Sequence, residues 1–77
     1  MNQKITSRAL AKLVGKTPDE LVSFTLRTTM AFSEKEMDLL AAWNGRLLYD
    51  NGMMAIVVVP ASRVSDLAEW EFVVDII

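Results

Sequence analysis

The chain has 77 residues, 52% of them hydrophobic and 23% charged, with a net charge of −2 and neither cysteine nor histidine. That is the size of one small domain with too much apolar content for disorder, and it excludes disulfides and zinc sites built on Cys or His, leaving only oxygen-ligand metals. The longest apolar run, Met53–Val59, is far short of the ~20 residues a membrane helix needs, and no apolar leader precedes the first charges; the expectation is a soluble, cytoplasmic protein with no membrane partner.

A first helix is expected from about Thr6 to Val14, because Ile5, Ala9 and Leu13, and Leu10 and Val14, recur at helical spacing. Gly15 ends it as a left-handed residue after the last turn. The stretch Thr17-Pro18-Asp19-Glu20 reads as the start of a second helix, with Thr17 as N-cap, Pro18 in the first helical position and Glu20 closing a capping box. Leu21, Val22, Phe24 and Leu26 supply its apolar side, and it fades near Thr28-Thr29. A third helix begins at Ser33, with Glu36 closing another capping box, and stops at Asn44-Gly45.

The pattern then changes. Leu47, Leu48 and Tyr49, the turn Asp50-Asn51-Gly52 and the run Met53–Val59 predict a β-hairpin. The second strand is continuously apolar, which predicts burial of both its faces; Pro60 ends it. Ala61–Ala68 reads as a short helix or turn. Glu69–Ile77 fits strand and helix periodicities, and its aromatic and β-branched content favours a strand. Trp43, Tyr49, Trp70 and Phe72 are expected in the core.

Within Ser7–Phe24, Ala11 and Gly15 stand at the fifth and ninth positions, with Leu10, Val14, Leu21 and Phe24 at the apolar positions around them. On these residues the segment resembles the helix-turn-helix superfamily, which includes small regulators and excisionase-like proteins of bacteria and their phages. The resemblance covers roughly 20 of the 77 residues. It implies a second helix that enters a DNA major groove, and a small transcriptional regulator.

Charge is distributed to suit that reading only in part. Residues 1–27 carry a balance of +3 and residues 28–77 a balance of −5. Lys4, Arg8, Lys12 and Lys16 recur every fourth residue and would line a phosphate backbone, with Thr17, Ser23 and Arg27 near the groove. Asp19 and Glu20, however, would face the phosphates, and the hairpin tip lacks the basic residues of a DNA-contacting wing.

The expected architecture is therefore α+β in a single domain, 1–77: three N-terminal helices with a helix-turn-helix over 1–45, then a β-hairpin and a C-terminal strand forming a small sheet over 46–77. Two partners are in view. One is double-stranded DNA, bound by a dimeric regulator. The other is a protein, engaged by the acidic, apolar second half in the manner of an antirepressor or small inhibitor. So short a chain has little with which to cover both the hairpin and the tail, and a homodimer through the C-terminal strands would supply the missing cover. No nucleophile–base constellation or phosphate loop is present, so neither catalysis nor a cofactor is expected.

Overall fold

A computed structural model describes residues 4–77. In chain order the elements are α1 (Ser7–Leu13), β1 (Leu21–Thr28), α2 (Glu34–Ala42), β2 (Arg46–Asp50), β3 (Met54–Pro60), α3 (Val64–Ala68, entered through a 3-10 turn at Ala61–Arg63) and β4 (Val73–Ile76). The four strands form one antiparallel sheet in the order β2-β3-β1-β4. Because β3 lies between β1 and β2, and β1 between β3 and β4, α2 and α3 each cross over a strand. This is the split βαβ, ferredoxin-like arrangement, with α1 added in front.

The fold is α+β, but its order overturns the expected three N-terminal helices followed by a sheet. The segment expected as the second helix is β1. Its buried residues are Val22, Phe24, Leu26 and Thr28, with Leu21, Ser23 and Arg27 exposed between them. On a helix Phe24 would lie about 200° round from Val22, so one face could not bury both; on a strand they share a face. Val22, Phe24, Thr25 and Thr28 also favour strand over helix. The Thr17–Glu20 signal is satisfied without a helix. The Glu20 amide donates to the Thr17 carbonyl at 3.1 Å and the Glu20 carboxylate accepts from the Thr17 amide at 3.4 Å, which closes a four-residue turn with Pro18 at its second position. With no second helix, the helix-turn-helix geometry is absent.

The other expected elements form. Thr6 caps α1, its hydroxyl accepting from the Ala9 amide, and Gly15 has φ +76°. At α2 the amide and hydroxyl of Ser33 both donate to Glu36 Oε1. That helix ends in a Schellman motif: the Asn44 amide donates to Ala41 O and the Gly45 amide to Leu40 O, with Asn44 left-handed at φ 65°. Gly45 then runs so close to β3 that a Cβ there would stand 2.5 Å from the Val58 carbonyl oxygen. In the hairpin, Asn51 Oδ1 accepts from the Met53 and Met54 amides, and the Asp50 carboxylate accepts from Gly52 and from Phe32, tying the hairpin to the loop before α2.

The three helices pack on one face of the sheet. The core comprises Val22, Phe24 and Leu26 of β1, Ala55, Val57 and Val59 of β3, Val73 and Ile76 of β4, and Ala9, Leu40, Val64, Leu67 and Ala68 of the helices. Phe32, Trp43, Trp70 and Phe72 close one side, Trp70 stacking on both Trp43 and Phe72. Thr28 is a polar intruder: its buried hydroxyl finds no hydrogen-bond partner among the described residues. At the outer edge of β4, Ile76 bonds to the carbonyl of Lys4 and the amide of Thr6, so the preceding segment already borders the edge that a dimer through the C-terminal strand would use.

Candidate functional site

The strand pairings identify a second face of the sheet that contributes nothing to the core. Opposite residues in antiparallel strands share a face. Val58 therefore lies beside Ser23 and Arg46, Ile56 beside Thr25 and Tyr49, Met54 beside Arg27, and Pro60 beside Leu21. None of these side chains is buried. Tyr49 is 46% exposed, Leu21 46% and Met54 40%, while Ile56, Val58 and Pro60 are half-buried. The sheet thus has one face under helices and one bare face, and the bare face is largely apolar.

This corrects two expectations. Burial of both faces of Met53–Val59 is half right: Ala55, Val57 and Val59 are buried, whereas Ile56 and Val58 are not. Tyr49, expected in the core, stands on the bare face. It gets there through a bulge. The register between β2 and β3 shifts between Leu47 and Tyr49, so the extra residue brings Tyr49 to the same face as Arg46, three positions earlier. In a regular strand residues three apart point to opposite faces.

The chain matches no protein-family model, no curated protein and no solved structure.

The residues expected to contact DNA are dispersed. Of the four basic positions only Arg8 and Lys12 lie on α1. Lys4 precedes it, its ammonium donating to the Trp70 carbonyl at 3.0 Å. Lys16 follows it and pairs with Glu20 at 3.2 Å. Lys12 reaches across to the carbonyls of Ser23 and Ile77, both at 3.2 Å. Thr17 lies in the turn before β1. Ser23 and Arg27 are on β1, facing outward on the bare face, where Arg27 pairs with Asp75 of β4. The seven residues are spread over α1, its flanks, the turn and β1, and the side chains of four of them, Lys4, Lys12, Lys16 and Arg27, are engaged in contacts within the chain.

A groove of about 230 Å³ between α2 and β2 is lined by Met37, Leu40, Ala41, Gly45, Arg46 and Leu47; that is below the roughly 300 Å³ at which small-molecule sites begin, and it suits a single side chain. Among the described residues no cluster of three or more acidic side chains is arranged to hold a metal ion, and no helix is long and apolar enough to cross a membrane. The acidic residues of the second half sit mainly around the helices. Glu36 is one of them, its carboxyl held below the ordinary carboxylate range by the bonds it accepts from Ser33.

Sequence reasoning missed Leu21, Tyr49, Met54, Ile56 and Val58 as a surface. The signal is present in the unbroken apolar run of β3, which asks for cover on both sides; the sequence raises cover from a second copy or a partner protein, but only strand register gathers these residues on one face.

Proposed function

We propose that the chain is a protein-binding domain whose bare sheet face takes a partner surface. The observation that carries this is β3. Its composition is that of a strand covered on both faces, yet the helices cover only one, leaving Ile56 and Val58 flanked by Tyr49, Met54, Leu21 and Pro60. A contiguous apolar patch rimmed by polar residues is characteristic of an interaction site. Tyr, Met and Arg, all present on this face, are enriched in interface cores. The reading keeps the apolar strands of the protein-binding alternative and leaves the acidic residues of the second half out of the contact. Double-stranded DNA, deprived of a recognition helix, stands as the competing outcome of the test.

The test is a pair of bare-face variants, Ile56→Glu and Val58→Glu, measured for stability and for binding. Both should melt close to the unmodified chain, because neither side chain is in the core. A protein captured by the unmodified chain should lose affinity for both variants, and its footprint, mapped by amide shifts, should fall on β1, β2 and β3. A footprint on the helices, or sub-micromolar binding to DNA that these variants leave intact, would overturn the proposal.

A further inference from the structure

Charge on the bare face narrows what can cover it. We propose that its partner is a different protein that presents a carboxylate opposite Arg46 within an apolar surround, and not a second copy of this chain; the inference rests on the binding role proposed above.

The strand register places three charges on this face. Arg27 and Asp75 neutralise each other. Arg46, opposite Val58 and exposed, has no ion-pair partner among the described residues. Asp50 of the same strand does not compensate it. It lies opposite Ala55, on the covered face, and its carboxylate is engaged by the Phe32 and Gly52 amides at 2.8 and 2.9 Å. The face therefore carries one uncompensated positive charge although the chain as a whole is at −2.

Two bare faces stacked on one another would each bring that excess and no free acid to meet it, so the interface would bury two uncompensated charges. An apolar partner without an acid would strip water from the guanidinium and return nothing. A partner acid meets both objections. The bulge in β2 strengthens the case, since it sets Tyr49 beside Arg46 on one face, and Tyr and Arg are the residues most often found to dominate binding.

The experiment selects binders from a randomised small-protein display library against the chain, with footprints mapped by amide shifts. Binders that shift Ile56, Val58 and Thr25 should be enriched in Asp or Glu. They should weaken about tenfold against Arg46→Gln and about a hundredfold against Arg46→Glu. Reselection against the Arg46→Glu chain should return Lys or Arg at the same place. Bare-face binders with no acidic preference and equal affinity for Arg46→Gln would overturn the inference while leaving the binding role standing. Footprints confined to the helices would remove both. A dimer at micromolar concentration by sedimentation, dissociated by Ile56→Glu, would instead establish the second copy as occupant and overturn the inference.

Discussion

Lys12 separates a structural role from a DNA-binding one. Thr25 exchanges both backbone bonds with Ile77. Backbone groups two residues apart point to the same side of a strand, so the Ser23 carbonyl points to the β4 side, where a side chain meets it. A strand carbonyl left without a partner carries a cost. The Lys12 ammonium satisfies it and also bonds the Ile77 carbonyl. Bonds from a charged donor contribute about 1.5–3 kcal/mol each when well formed. Both of these are 3.2 Å long and one is exposed, which reduces the pair to about 1–2 kcal/mol in total. The ammonium also stands 5.7 Å from the Phe24 ring centroid, for about 0.5 kcal/mol more. Lys12→Met keeps the aliphatic stem and removes the donor. The expected loss is about 2 kcal/mol by urea denaturation, or a fall of roughly 10 °C in Tm for a domain of this size. A loss below about 0.3 kcal/mol, within the range of ordinary surface substitutions, would refute the structural role. If such a variant also bound DNA more weakly, the basic stripe would be back in play.

Three further outcomes follow from the packing. Gly45→Ala should destabilise by about 1–3 kcal/mol, because its Cβ would meet the Val58 carbonyl oxygen at 2.5 Å and backbone must shift; an unchanged urea midpoint would show that the Gly45 backbone and β3 are not in close approach. Thr28→Val should stabilise by about 1 kcal/mol by removing a buried hydroxyl that has no partner among the described residues, and a loss on calorimetry would mean that the hydroxyl is satisfied. Glu36 has a depressed folded pKa; its contribution is present above the unfolded carboxylate pKa and is lost as pH falls through the folded one. Stability of the unmodified chain should therefore fall more steeply than that of Glu36→Gln between about pH 5 and pH 3; equal slopes would exclude the capping contribution.

Much of the fold was legible where short-range physics decides it. The capping box of α2, the left-handed Gly15 that follows α1 and the Asp50-Asn51-Gly52 turn depend on residues adjacent in sequence, and each forms. Asn44-Gly45 was legible as a stop, but the division of labour within it was not. Asn44 takes the left-handed conformation, and Gly45 is needed for clearance from β3, a neighbour remote in the chain. The failure at Leu21–Thr28 has a different source. Thr17–Glu20 can open a helix or close a turn with nearly the same hydrogen bonds. What decides is whether the following residues can bury one helical face, and Val22, Phe24 and Leu26 cannot.

The candidate site was illegible for a reason that local pattern cannot supply. An apolar run such as Met53–Val59 specifies that both faces of a strand want cover and is silent on whose atoms provide it. The placement of the helices answers half of that question, since both crossovers and α1 lie on one side. The bulge at β2 answers another part, since alternation counted along Arg46–Asp50 puts Tyr49 on the wrong face until the extra residue is known. Charge read along the chain misleads in the same way. The second half is acidic in sum, which by itself points to a basic partner, yet the apolar face holds Arg46 and an already neutralised Arg27–Asp75 pair. A partner is recognised by the side chains that share a face, and in a sheet those come from strands far apart in sequence; the sign of the charge it must bring is therefore set by strand register, and here register reverses the sign that composition implied.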